Sequence, residues 1–389
     1  MSSRARILLL ATSTPLLAFV LIGGALGRRA SGQEAYPHLR VFEDVVSLIV
    51  QNYVEEVDVD RVMEGALRGL ADGLDADSAY LAPEQVRAIE RGAPLPEGDV
   101  GLTLTRRYYL QVVAARDGSP AARAGLRPQD YIRAIDNRPT RDLSVFEGMR
   151  LLRGAPGSKV TLTVIRGNAA DPHQVVLVRE KAAPPEVTGR LLEPGIGYLR
   201  VAGFDTRTAT RLRARIAELE KAGAARLIVD LRGTAEGPLE AGLEAARLFV
   251  ASGTLGVRAA RDEPRRPITA AAGDGSLRLP LALLVNSGTA GAAELFAAAL
   301  AGNGRAETIG ERTRGRTGVQ KLVPLPQGRG LWLTWAAYLT PAGEAIHEKG
   351  LAPAVEVEEP EVEFGAARVE GAPADPILEK ALARLKATG

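Results

Sequence analysis

Two short apolar runs, Leu227-Ile228-Val229 and Leu281 to Val285, constrain the fold of this chain more than anything else in it. Each is bounded by turn or helix signals and shows no polar alternation, so each reads as a strand buried in a sheet. Helical patterns surround them: Thr206 to Ala222, Leu239 to Val250, and an Ala-rich stretch from about Gly291 to Ala301. With a strand over Ile196 to Val201, this is the alternating rhythm of an α/β layer. Further strands are expected around Val319–Val323 and Leu331–Leu339, and an amphipathic helix over Pro376 to Leu385 closes the chain.

The preceding residues, 98 to about 179, follow a different rhythm of short strands and tight turns. Leu102 and Leu104, then Tyr109, Gln111 and Val113, alternate as a hairpin. Ser119 to Leu126 reads as a short helix stopped by Gly125. Tyr131 to Ile135 is a strand, Asp136-Asn137 a turn, Ser144 a cap for a helix reaching Leu152, and Lys159 to Arg166 another strand. Before the Pro/Gly-rich break at Gly92–Gly98, residues Val41 to Leu74 carry helical spacing, with Asp58 or Asp60 placed to cap a second helix. The expected division is 1–32 as an export segment, 33–97 helical, 98–180 a β-rich module and 181–389 an α/β core.

Composition narrows the chemistry. There are no cysteines, so disulfides, thiolate metal sites and a Cys nucleophile are excluded. His38, His173 and His347 lack ligand spacing, and no metal or cofactor is expected. Lys and Arg total 49 against 47 acids, and residues 1–32 hold four arginines and no acid. Without that segment the balance is 45 to 47, which gives nucleic-acid binding no electrostatic support. Arg4 and Arg6 precede a 20-residue apolar run from Ile7 to Leu26, which reads as an export signal or an uncleaved membrane anchor. The expected place is therefore the bacterial envelope, periplasmic or anchored in the inner membrane.

Several strings resemble, in order, the C-terminal processing (tail-specific) serine peptidases. Leu74-Asp75-Ala76-Asp77-Ser78-Ala79-Tyr80-Leu81 is similar to that family's LDPHSxYL segment. Ser119-Pro120-Ala121 with Ala124-Gly125-Leu126 is similar to its PDZ segment, and Leu152-Arg153-Gly154 to its LRG motif. Asp230-Leu231-Arg232 and Tyr338-Leu339-Thr340-Pro341 match two more. The resemblance implies a mixed α/β protein with N-terminal helices, a PDZ-like β-rich module and a peptidase-like core of the ClpP/crotonase type. It also implies a serine endopeptidase working by a Ser/Lys dyad.

At the dyad itself the residues differ. The nucleophile motif Gly-Ser-Ala-Ser-Ala-Ser-Glu reads Gly288-Thr289-Ala290-Gly291-Ala292-Ala293-Glu294 here, so its middle serine is Gly291. The base motif Thr-Phe-Gly-Lys-Gly reads Thr313-Arg314-Gly315-Arg316-Thr317, with Gln320 following, so the lysine is Arg316. The separation, 316 − 291 = 25 residues, is the family's own. Glycine offers no nucleophile, and a guanidinium protonated above pH ~12 accepts no proton. Glu236-Gly237 replaces a Gly-Gly expected to line the cleft beside Gly288 and Thr289.

Two functions follow from the resemblance. One is a pseudopeptidase that binds the C-termini of envelope polypeptides through the carboxylate loop Val100-Gly101-Leu102-Thr103. The other is an active endopeptidase with a relocated nucleophile, for which Thr289 and Ser287 are the nearest hydroxyls and Lys321 the nearest lysine. In the first case Thr289 is a capping residue, Ser287 a turn residue, and Arg316 is expected to pair with Glu236 and plug the cleft.

Overall fold

The computed structural model describes residues 35–167, 171–360 and 375–387. The chain divides between Leu67 and Arg68 into two compact units. In the first, helix Ala35–Asn52 exposes Val41, Val45, Leu48 and Ile49, while Asp58 Oδ1 accepts from the Arg61 N–H and caps the helix that begins at Val59. Among the described residues, no helix is long and apolar enough to cross a membrane. The run Ile7 to Leu26 lies outside them.

The second unit contains the α/β layer that the apolar runs require. Its six strands lie in the order Val187–Glu193, Ile196–Val201, Arg226–Asp230, Leu281–Val285, Ala306–Gly310 and Val355–Glu356. The first pair is antiparallel and the rest are parallel. Successive side chains of a strand point to opposite faces, and here both faces are covered. Leu227, Val229, Leu283 and Val285 pack into the core formed with helices Thr208–Lys221, Leu239–Ala246 and Ala292–Gly302. Ile228, Ala282 and Leu284 face the other way, onto Ile377, Ala381 and Leu385 of helix Pro376–Ala387. That double burial is why neither run alternates.

The β-rich module is an antiparallel sheet ordered Leu102–Arg106, Leu110–Ala115, Tyr131–Ile135, Lys159–Ile165 and His173–Val178. Strand Leu102–Arg106 is its edge. The short helices start where the hydroxyls predict: Ser119 Oγ accepts from Ala122 N, and Ser144 shares a capping box with Glu147. Asp136 and Asn137 both take positive φ, completing a tight turn. A third, five-stranded sheet joins Ala79–Leu81 to Gly330–Leu339, which also pairs with Gly318–Pro324 and Thr254–Ala260; Glu263–Thr269 lies outermost. Hairpin Thr254–Thr269 and strand Ala306–Gly310 carry no clear sequence signal. Pro264 and Pro267 interrupt the former.

Candidate functional site

The turn Asn286–Ala290 leads from strand Leu281–Val285 into helix Ala292–Gly302. Thr289 was expected to cap that helix, but the hydroxyl sits two residues too early. It accepts from Asn286 N at 3.1 Å and donates to Leu231 O at 2.9 Å, bracing the turn, while Gly291 occupies the cap position. Gly291 has φ +63° and ψ −121°, a conformation that strains any residue with a Cβ. Space is not the obstacle. A Cβ there would lie 3.6 Å from Leu239 Cδ2 and 3.7 Å from the Arg316 carbonyl oxygen, ordinary contact distances.

Glu294 holds positions 291 and 316 side by side. Its side chain is fully buried. One carboxylate oxygen accepts from Gly291 N at 2.9 Å and Arg316 N at 2.8 Å; the other accepts from Thr313 Oγ1 and Gly315 N. Burial pushes the Glu294 carboxyl up, against the pull of those four donors. Its role went unassigned in the sequence, although a Glu three residues after a cap position is the spacing of a capping box.

The side chain of Arg316 turns away from Glu236. Its Nη2 and Nε donate to Asp77 at 2.6 and 3.2 Å, and its Nη1 to Leu104 O at 3.2 Å. Burial works against its charge, yet Asp77 raises the pKa, so the guanidinium stays protonated. The expected Arg316–Glu236 plug is therefore absent. Glu236 instead accepts from Arg116 Nη1 at 3.0 and 3.2 Å, and Arg116 Nη2 donates to Asp99 at 2.7 Å. Burial pushes the Glu236 carboxyl up, and Arg116 offsets part of that shift. The reason for the exchange is the β-rich module. It brings Arg116 to one end of the cleft, while the segment 74–81, fixed by strand Ala79–Leu81 on Gly330–Leu339, brings Asp77 to the other. Neither residue is adjacent in sequence to its partner.

Residues 195–357 match peptidase family S41, and residues 111–166 match the PDZ domain. The carboxyl-terminal-processing protease of Synechocystis sp. is 34% identical over 291 residues, covering 73% of this chain and 68% of that protein. The chain belongs to the S41 C-terminal processing protease family. The carboxy-terminal processing protease CtpA of Bacillus subtilis is 30% identical over 315 residues, 80% of this chain and 67% of its own. The solved photosystem II D1 C-terminal processing protease superposes with a TM-score of 0.69 at 28% identity, covering 87% of this chain and 98% of that one.

As in that family's architecture, a PDZ module sits on an S41 core, and polar side chains bind the two together. Gln129 Nε2 donates to Ser287 Oγ at 3.1 Å, Arg200 Nε to Asp117 at 2.8 Å, and Gly288 packs so closely that a Cβ would lie 2.6 Å from Pro128. Gly237 takes φ +117° against the Phe204 carbonyl. The loop Val100–Thr103 is held from below. Gly101 N donates to Asp99 at 2.9 Å, which removes one of the backbone donors expected to receive a peptide carboxylate. The groups named as replacement catalysts are likewise occupied. Ser287 accepts from Gln129, Thr289 braces its turn, and Lys321 Nζ lies 4.5 Å from the Trp335 ring centroid. Gln320 Nε2 donates to Thr334 Oγ1 at 3.1 Å, on the opposite side of its strand from Lys321.

Proposed function

We propose that this chain is a non-catalytic S41 family member of the bacterial envelope, which binds polypeptide C-termini through its PDZ domain without cutting them. One observation carries the reading. At the place the family resemblance assigns to nucleophile and base, a residue with no side chain adjoins the backbone of Arg316, whose permanently charged guanidinium is engaged by Asp77. Acyl-enzyme chemistry needs a nucleophile and a group that takes its proton, and this pair supplies neither. Thr289 is not a ready substitute, because its hydroxyl proton is directed to Leu231 O. Envelope location is supported by the basic, then apolar, N-terminal segment.

The test is labelling of the envelope fraction with a serine-reactive fluorophosphonate, together with incubation of the protein with a peptide bearing a free apolar tail. The expected result is recovery in the envelope, no labelling and no cleavage, with the peptide bound. Labelling abolished by Thr289→Ala would establish a relocated nucleophile and overturn the proposal.

A further inference from the structure

The loop that carries Arg316 brings a second arginine to the cleft, at the position where the resembled motif has phenylalanine. The backbone N–H of Arg314 donates to Thr289 O at 2.9 Å, fixing it beside the turn into Gly291. Its guanidinium is half-buried and, among the described residues, has no hydrogen bond or ion pair. The charges around it are evenly divided, two cationic and two acidic. Burial, then Arg107 and Arg316, draw its pKa down, while Asp77 and Glu294 only partly oppose them. Both acids are engaged elsewhere, Asp77 by Arg316 and Glu294 by its four donors. Arg107 is exposed just past edge strand Leu102–Arg106, and its side chain is likewise unpaired among the described residues. A desolvated guanidinium without a partner is costly, and a carboxylate is the ligand its planar donors fit best.

The PDZ geometry says where on a ligand that carboxylate lies. A peptide whose terminal carboxylate rests at Val100–Thr103 adds antiparallel to strand Leu102–Arg106, so each residue back from its end advances one residue along the strand. With the last residue opposite Leu102, the residues four and five before it come level with Arg106 and Arg107. Arg106 is already paired with Asp72, which leaves Arg107 and Arg314. Pairing also requires Leu104 O, now bound by Arg316, which ties ligand entry to this same arginine cluster.

We propose that Arg314, with Arg107, forms an acid-recognising subsite that takes an Asp or Glu side chain five residues before a peptide's free, apolar C-terminus. This deepens the peptide-binding reading and rests on it. The test is fluorescence anisotropy on the full chain in detergent, with matched peptides carrying Glu or Gln at that position and a free or amidated terminus. The Glu peptide is expected to bind about 10-fold more tightly than the Gln peptide. Arg314→Phe and Arg314→Gln are each expected to abolish that preference. Equal affinities of Glu and Gln peptides for the unmutated chain, or a preference surviving both substitutions, would overturn the subsite. Equal binding of free and amidated termini would instead overturn the terminal-carboxylate reading, so the two failures are distinct.

Discussion

Removing the Arg316 side chain tests whether the family's base position has become a structural ion pair. In Arg316→Ala, the Asp77 carboxylate loses a two-point contact of 2.6 and 3.2 Å, and Leu104 O loses a donor. The side chains of Arg316 and Asp77 are 25% and 10% exposed, so the pair is neither fully buried nor freely solvated. Exposed pairs are worth about 0–1 kcal/mol, and stranding one charge of a buried pair costs about 3–5 kcal/mol. Arg314 remains close enough to attract Asp77 in the variant, which moderates the penalty. The expected loss is about 2–3 kcal/mol, with a coupling of about 1–2 kcal/mol in the cycle with Asp77→Ala. Urea unfolding followed by tryptophan fluorescence measures it well, because Trp332 and Trp335 lie in the strand that pairs with segment 79–81. A loss below about 1 kcal/mol, or coupling below about 0.5 kcal/mol, would show that the pair is solvated and that Arg316 does not lock this site.

Two further outcomes follow. Gly291→Ser with Arg316→Lys should remain inactive, because Asp77 would hold the new lysine protonated; adding Asp77→His, the residue of the resembled segment, should permit cleavage of a tail-bearing peptide. Full activity of the double variant would show that Asp77 is no obstacle. The second concerns His347, which lies 3.8 Å from Asp75, with both ring nitrogens buried and, among the described residues, without hydrogen-bond partners. Burial opposes its charge, but Asp75 and then Asp77 and Glu348 raise its pKa above the ordinary value, so it contributes stability below pH ~6.5 that is lost as pH rises through the raised value. Burial also opposes ionisation of Asp75, yet His347, Thr334 and nearby backbone donors depress it, so that contribution is lost only as pH falls below its unfolded value near ~4 and through the depressed one. Denaturation midpoints between pH 5 and 9 should decline at the alkaline end, and His347→Gln should flatten the decline; an unchanged profile would refute the coupling.

Most elements were legible because they obey local rules. Asp58, Ser119 and Ser144 start helices with their own oxygens, and Asp136-Asn137 tolerates the positive φ its turn demands. The elements without a signal are those whose pairing is supplied from afar. Thr254–Ala260 is a strand because Gly330–Leu339 lies beside it. The same division runs through the site. Sequence by itself determined that Gly291 cannot be a nucleophile and Arg316 cannot be a base, since those are properties of the side chains alone. Only the tertiary structure decided what these residues do instead. An ion pair depends on which carboxylate the fold brings within about 3–4 Å, and Asp77 and Arg116 reach the cleft from distant segments. The charge at Arg316 was written in the sequence; that Asp77 neutralises it, leaving Arg314 without an ion pair among the described residues, was set by packing the PDZ module and segment 74–81 against one loop.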